Sequence, residues 1–294
     1  MKIYICILIS KKNIKFLNFL LNSLNQLKIP NNYKLEIIFI IESELILYSN
    51  LIKKKIDKIN YKIFLSKKKG IPNTRNIFIN FLKKKKYEFA GFLDDDCVVH
   101  NSWLCNMIKF YNHQNCDIIG GPQKHEIKNP RFKDFYFELE PKRNHGELVS
   151  WIATNNCFFS KKILQNTKFT FDHELSNYGG SDQLFFSQLS KQKFVIKWNT
   201  TSFTTEKFQS NRENNKWFIK RNFRFGYSGN IIDKKYYGKL GNILIVIKIF
   251  YLLFHSILSL FIPTRKNCIK SLFFFFRATG RIIGLFNYKP RKYI

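Results

Sequence analysis

The residues best suited to chemistry form one stretch, Phe92-Leu93-Asp94-Asp95-Asp96-Cys97-Val98-Val99. An apolar segment ending at Leu93 runs into three successive carboxylates and then returns to apolar residues. A strand that ends in exposed acids offers hard oxygen ligands of the kind Mg²⁺ and Mn²⁺ take. Mg²⁺ in particular is held by one or two carboxylates plus substrate phosphates. In an open α/β sheet ligands bind beyond the carboxyl ends of the strands, where these acids fall. The alternative is a solvated acidic turn. Lys+Arg 50 against Asp+Glu 20 argues against it, because acids are scarce in this chain and clustered ones repel one another. Something positive belongs there.

Three further stretches carry candidate groups. Lys67-Lys68-Lys69-Gly70-Ile71-Pro72-Asn73-Thr74-Arg75-Asn76 reads as a basic turn leading into a helix over 77–82. Backbone N–H groups at a helix start, with Arg75 in the first turn, make an anion site. In Tyr178-Gly179-Gly180-Ser181-Asp182 two glycines permit a tight turn, and the acid sits where a helix over 184–189 begins. The plain alternative for Asp182 is a helix N-cap. Trp217-Phe218-Ile219-Lys220-Arg221-Asn222-Phe223-Arg224-Phe225-Gly226 reads as a basic aromatic helix. The run Lys83 to Lys86 is taken as a solvated helix end.

The elements that must position these groups follow from periodicity. Ile3 to Ile9 is a continuous apolar run of strand length, as expected for a parallel strand covered on both faces. It lacks the small-residue cleavage site of a signal peptide and is followed by Lys11 and Lys12, so a buried strand is expected. Phe16, Leu17, Leu20, Leu21, Leu24 and Leu27 repeat at helical spacing until Ile29-Pro30-Asn31-Asn32 breaks them. Strands are expected over 35–41, ending at Glu42, and over 61–65, with a helix over 45–56 between them. Trp103 to Tyr111 reads as helix, and Asp117 to Pro122 as a short strand and sharp turn. Between Gln123 and Glu147 periodicity fails, the usual character of a substrate-selecting loop region. Strand character resumes from Trp151 to Phe159 around Thr154-Asn155-Asn156. Alternating strands and helices with short links predict a doubly wound parallel sheet.

Composition bounds the partners. The 294 residues and 45% hydrophobic content allow one large α/β domain plus an appendage. A net charge of +30 predicts attraction to polyanions, although Phe 32, Tyr 14 and abundant Ile, Lys and Asn match A/T-rich codon usage. Nucleic-acid binding is the rival reading this charge raises, but no RNA- or DNA-binding motif accompanies it and no nucleic-acid partner is expected. A nucleotidyltransferase is a second rival; it calls for a glycine signature after the first strand, and Ile9-Ser10-Lys11-Lys12-Asn13 has no glycine. Six cysteines are scattered without a CxxC pair, as expected of free thiols in a reducing compartment.

In content and order these motifs resemble family 2 glycosyltransferases of the GT-A fold. The resemblance covers about 2–229. It rests on the strand–helix–strand ending at an acid, Gly-Ile-Pro-x-x-Arg-Asn, the DxD acids followed by Trp103-Leu104, Thr-Asn-Asn and Gly-Gly-x-Asp. The resemblance implies a Rossmann-like, mostly parallel sheet sandwiched by helices; a C-terminal amphipathic helical appendage is expected beyond it, with catalytic domain 1–240 and appendage 241–294. It implies that Glu42 contacts the nucleoside base, that Arg75, Asp94 and Asp95 hold the donor, and that Asp94 and Asp96 hold Mn²⁺ or Mg²⁺. Asp182 stands at the presumed general base, and Arg221 or Arg224 at a diphosphate or acceptor phosphate, the alternative for the two arginines being surface charge alone. Two positions depart from the family pattern: Ser181 where Glu is preferred, and Glu42 for Asp. No histidine ligand is evident after Asp182, and Glu206 sits near where some relatives have one. The implied reaction is inverting transfer from a nucleotide-sugar donor to a glycan or lipid-linked acceptor.

The tail adds a membrane expectation. Ile243 to Ile262 is nearly long and apolar enough to span a bilayer, but Lys248, His255 and Ser259 form one stripe at helical spacing. Beyond Pro263, Lys270, Arg277 and Arg281 share a face opposite Phe273 to Phe276. A Lys/Arg stripe against aromatics is the pattern of a helix lying in a membrane interface. The alternatives are helices packed on each other or on the catalytic domain, and a transmembrane hairpin. The expected location is cytoplasmic, peripheral on the inner face of the cell membrane.

Overall fold

A computed structural model describes residues 1–9, 14–140, 142–165 and 168–286. Residues 10–13, with Lys11 and Lys12, lie outside the described residues, as does the appendage beyond 286. In chain order the elements begin β1 (Lys2–Ile9), α1 (Ile14–Leu24), β2 (Lys34–Glu42), α2 (Tyr48–Lys55), β3 (Asn60–Ser66), α3 (Ile71–Leu82) and β4 (Phe89–Asp94). Then come β5 (Cys97–Val99), α4 (Trp103–His113), β6 (Ile118–Gly120), β7 (Gln123–His125), α5 (Lys133–Leu139), β8 (Asn156–Ser160) and α6 (Lys162–Gln165). The remainder is α7 (Ser181–Lys191), β9 (Ile196–Trp198), β10 (Thr204–Glu206), α8 (Asn215–Tyr237), α9 (Gly241–Leu258) and α10 (Arg265–Leu285). Two compact units result. One comprises Met1–Glu126, Arg143–His173 and Phe185–Lys207, the other Ile127–Lys142, Glu174–Leu184 and Phe208–Ile294. Residue 240, the expected boundary between catalytic domain and appendage, lies within the second unit.

The first unit is a three-layer α/β sandwich. Its sheet runs β3-β2-β1-β4-β8-β6-β9. Strands β3, β2, β1 and β4 are parallel, β8 is antiparallel to both neighbours, and β6 and β9 are parallel. The isoleucine run of β1 divides by the period of two: Ile3, Ile5, Ile7 and Ile9 pack with Leu17 and Leu20 of α1 and Met107 of α4. Tyr4 and Cys6 face the other layer, with Phe78 of α3 and Phe186 and Leu189 of α7. Covering both faces is why the run is continuous rather than alternating. Each buried Ile or Phe contributes roughly 1.5–3 kcal/mol. A second, small sheet, β5-β10-β7, was not apparent from periodicity. All six cysteines are free, four of them buried.

Helix boundaries differ from expectation in two places that matter. Helix α3 starts at Ile71, not at 77, with Pro72 in its first turn where a missing N–H costs nothing. The polar residues Thr74, Arg75 and Asn76 are buried inside it, so the hydrophobic pattern understated its length. Helix α7 starts at Ser181, not at 184.

The second unit is helical. Asn214 caps α8 by accepting the Trp217 N–H at 2.8 Å, and Thr264 caps α10 by accepting that of Asn267 at 3.2 Å. Helices α8 and α10 cross at Gly226 and Gly280. A Cβ at Gly226 would fall on the Arg277 carbonyl oxygen, and one at Gly280 on that of Phe223. Only glycine lets these backbones touch. The basic stripe of the expected interfacial helix packs inward on this crossing instead of lying on the surface. Arg277 Nε donates to Asn222 Oδ1 at 2.7 Å, and Arg281 Nη1 to Asp233 Oδ2 at 2.8 Å and Asn230 Oδ1 at 3.1 Å. Burial pushes the Arg277 guanidinium below its usual range, with Glu138 opposing the shift.

Candidate active site

In the first unit the register of the parallel strands aligns their carboxyl ends. Asp94 of β4 pairs with Leu8, and Ile9 with Ile41, so Glu42 and the acids end on the same edge of the sheet. The backbone then turns through Asp95 and Asp96 into β5, whose Cys97 Sγ donates to the Asp94 carbonyl at 3.0 Å. Asp96 is 4% exposed, and its carbonyl accepts the Lys207 N–H at 3.1 Å. That bond continues the pairing of β10 with β5, which sets Glu206 opposite Cys97. Burial drives the Cys97 thiol well above its usual range, and the charges of Asp94, Asp96, Asp95 and Glu206 push the same way. The Tyr48 phenol is raised as well, by burial and then by Asp95.

The neighbouring polar groups are fixed from several elements. Glu42 Oε1 accepts the Gly70 N–H at 3.2 Å, tying the end of β2 to the turn before α3. Arg75 is 8% exposed and stacks over Phe171 at 5.2 Å. Asn76 holds Phe171 by both its carbonyl and its N–H, each at 2.8 Å. Asn156, of the Thr-Asn-Asn segment, accepts from Trp103 Nε1 at 2.8 Å and donates to the Ser202 and Pro122 carbonyls at 2.7 and 3.0 Å. Its role is to knit the strand-end loops. The strand itself begins only at Asn156, not at 151.

Sequence reasoning missed one pair. His125 Nδ1 lies 2.6 Å from Glu206 Oε2, with both side chains largely buried. No pattern could have found it, since β7 falls in the stretch without periodicity and its partner lies far along the chain. Glu206, noted above for its position, thus sits beside the DxD turn with its carboxylate on a histidine.

In the second unit, Gly179 and Gly180 adopt φ of 77° and 86°, the left-handed region that favours glycine, and α7 starts at once. Asp182 is in its first turn rather than at the cap. Its Oδ1 accepts the N–H of Gln183 at 2.9 Å. An acid there complements the helix dipole. Arg224 packs its guanidinium on the Gly179 turn, within 4 Å of where a Cβ would stand. Arg221 instead lies between Trp217, at 4.9 Å, and Phe225, at 5.2 Å. Tyr178 and Tyr227 pack at 4.7 Å, and burial, helped by Tyr178, pushes the Tyr227 phenol up to about 12.

Whether the acids suit a cation rests on their chemistry. Asp94, Asp95, Asp96 and Glu206 supply only hard oxygen donors, which match Mg²⁺ or Mn²⁺ and not a soft metal. Among the described residues no three His, Cys, Asp or Glu converge as a closed cation site. Two carboxylates would therefore leave the other positions to diphosphate oxygens and water, the usual arrangement for Mg²⁺. The residues fit such an ion.

An open, mostly parallel sheet with acids at its carboxyl edge, and a buried arginine in the helix that follows β3, is an α/β architecture that binds ligands at that edge. The glycosyl transferase family 2 profile matches residues 5–173, and the chain belongs to that family. As a member of that family it is a glycosyltransferase. The succinoglycan biosynthesis protein ExoM of Rhizobium meliloti (strain 1021) is 26% identical over 157 residues, 51% of this chain and 50% of that protein. The chain thus spans about half the length of that curated relative. Among solved structures, the mannosyltransferase PcManGT from Pyrobaculum calidifontis, in complex with GDP-Man and Mn²⁺, aligns with a TM-score of 0.63. That alignment has 12% identity and covers 98% of this chain and 88% of that one. S. aureus TarS 1-349 in complex with UDP-GlcNAc aligns at 0.54, with 13% identity, over 99% and 93%. These likenesses establish the GT-A-like fold.

Proposed function

We propose that the chain is an inverting, divalent-cation-dependent glycosyltransferase acting on a glycan or lipid-linked acceptor in surface polysaccharide or glycolipid synthesis. Its place is the cytoplasmic face of the cell membrane. The observation that carries the reading is the carboxylate cluster Asp94 to Asp96 at the sheet's carboxyl edge, with Arg75 buried in the helix that follows β3. Support for the donor class comes from relatives bound to UDP-GlcNAc and to GDP-Man with Mn²⁺. Support for the pathway comes from the name of a relative that shares half its length.

Asp94 and Asp96 would hold the cation, which when bound offsets charge on the leaving diphosphate. Glu42 and Asp95 bind the donor, and Arg75 adds fixed positive charge toward its phosphates, preorganised by Phe171. Asp182 removes the proton from the acceptor hydroxyl. As it does so, the acceptor oxygen bonds to the anomeric carbon, and the carbon–oxygen bond to the diphosphate breaks with its electron pair. One displacement inverts the anomeric centre. The Gln183 N–H fixes one carboxylate oxygen of Asp182, while the other accepts no hydrogen bond among the described residues. Arg224, on the same Gly-Gly turn, binds donor or acceptor phosphate.

The test is incubation of the purified chain with Mn²⁺ and a panel of nucleotide sugars, scoring nucleoside diphosphate release with and without extracted glycan and lipid acceptors. Acceptor-stimulated release with one donor, and an inverted anomer in the product by proton coupling, is expected. Failure of every donor would sink the reading.

A further inference from the structure

Helix α9 is turned inside out. Two of its polar residues face the other helices: Lys248 Nζ donates to Asp233 Oδ1 at 2.7 Å, and Ser256 Oγ to the Ser271 carbonyl at 2.9 Å. Ile245, Ile249 and Leu252 complete that buried face. On the opposite face Ile243, Ile247, Phe250, Phe254 and Ile257 recur at helical spacing, and each is more than half exposed. Leu260, Phe261 and Ile262 extend the stripe to the end of the segment, also more than half exposed. Contiguous apolar patches this long are rare on soluble monomers and mark an interaction surface.

We propose that this face of α9 docks in the plane of an anionic lipid bilayer, with Phe250, Phe254 and Phe261 as its anchors. Charge selects the occupant. The chain carries +30 formal charge, and Lys239 and Lys266, both exposed, flank the stripe at its two ends. Anionic lipid complements that charge, whereas a second copy would bring another +30 against it. The inward polar stripe selects the orientation. A spanning helix needs apolar surface all round or polar partners throughout, but α9 keeps Lys248 and Ser256 on α8 and α10 and presents a single apolar side. Tyr251, also exposed, suits an interface, where an aromatic ring meets water and acyl chain together. The stripe rather than the α10 arginines is thus the membrane face. Docking deepens the location in the proposed function but does not need the transfer chemistry, so either can fail alone.

The experiment is flotation of the full chain with phosphatidylcholine vesicles containing or lacking phosphatidylglycerol, alongside a Phe250→Ser/Phe254→Ser/Phe261→Ser variant. Because these side chains are exposed, the variant should keep its circular dichroism and unfolding temperature. Wild type should float with anionic vesicles, and the variant should partition about tenfold less or worse, roughly the factor one large apolar side chain contributes. A second arm uses Phe254→Trp, whose fluorescence should be quenched by lipids brominated near the headgroup. Equal flotation of wild type and triple variant overturns the proposal. So does quenching only by lipids brominated near the chain terminus, which means a spanning helix. So does sedimentation showing a dimer that the triple variant dissolves without loss of vesicle binding.

Discussion

Asp233→Ala should be among the most damaging substitutions outside the active site, and the size of its effect can be worked out. Asp233 is buried and meets two cations, Arg281 at 2.8 Å and Lys248 at 2.7 Å. Removing one partner of a buried pair costs ~3–5 kcal/mol, because a charge is left uncompensated. The two cations do not share that cost equally. The Lys248 side chain is 38% exposed and can swing to water, so its loss is of the surface kind, about 0–1 kcal/mol. The Arg281 side chain is 12% exposed and held between Asn230 and the crossing of α8 with α10. It cannot leave. The sum is about 3–5 kcal/mol for Asp233→Ala, and about half that for Asp233→Asn, which keeps an acceptor. A urea titration followed by far-ultraviolet circular dichroism measures it. With a slope on the order of 2 kcal/mol per M, the helical transition should move down by about 1.5–2.5 M. Replacing the set by Asp233→Leu, Arg281→Leu and Lys248→Met should restore most of the loss, since a buried ion pair is no more stabilising than apolar residues of similar volume. A midpoint for Asp233→Ala close to wild type refutes the reasoning. A triple variant as weak as the single one refutes the assigned cause.

Three shorter predictions bear on the site and the sheet. Asp96→Asn should abolish Mn²⁺-dependent binding of a nucleoside diphosphate by calorimetry, because a neutral amide is a poor ligand for a hard cation; unchanged metal dependence removes Asp96 from the metal set. Asp182→Asn should keep donor binding and lose transfer by about 10²–10⁴-fold, the usual contribution of a positioned base, whereas transfer near the wild-type rate returns Asp182 to a helix-end role. Glu36 accepts from Lys2 and Lys62, each at 3.0 Å. Its pKa is lowered: burial alone would raise it, but these hydrogen bonds outweigh burial. A depressed folded value means stability fully present above the ordinary glutamate value of 4.5 and lost as pH falls through the folded value. Glu36→Gln should therefore cost about 1 kcal/mol at neutral pH and nothing in strong acid, and a constant gap across pH contradicts that.

Much of the site was legible because its chemistry is written in short runs. The isoleucines of β1 and β2 announce strands covered on both faces, and the acids at Asp94 to Asp96 stand out in a chain so poor in carboxylates. Legibility ended where polar residues are buried. Thr74, Arg75 and Asn76 look like a turn, yet they are the inward face of α3, with Asn76 replacing a backbone partner for Phe171. The β5-β10-β7 sheet was invisible for another reason: strands of three residues carry no period, and pairing between Cys97 and Glu206 is decided by tertiary contact.

The tail shows what periodicity can and cannot deliver. Spacing located the stripes on α9 and α10 correctly, but a stripe has two sides, and hydrophobicity alone assigns the polar one to water. That assignment fails when a neighbouring element supplies counter-charges. Asp233 of α8 does so, with the neutral amides of Asn222 and Asn230 as further acceptors, and the glycines at the α8–α10 crossing bring the backbones close enough for Arg277 and Arg281 to reach them. With the cations satisfied inside, the apolar residues of α9 are left outside. The order of causes therefore runs from two glycines to a close crossing, from the crossing to buried ion pairs, and from those pairs to an exposed apolar face. An amphipathic helix next to a helix that pairs small residues with buried acids should be read with its polar side inward.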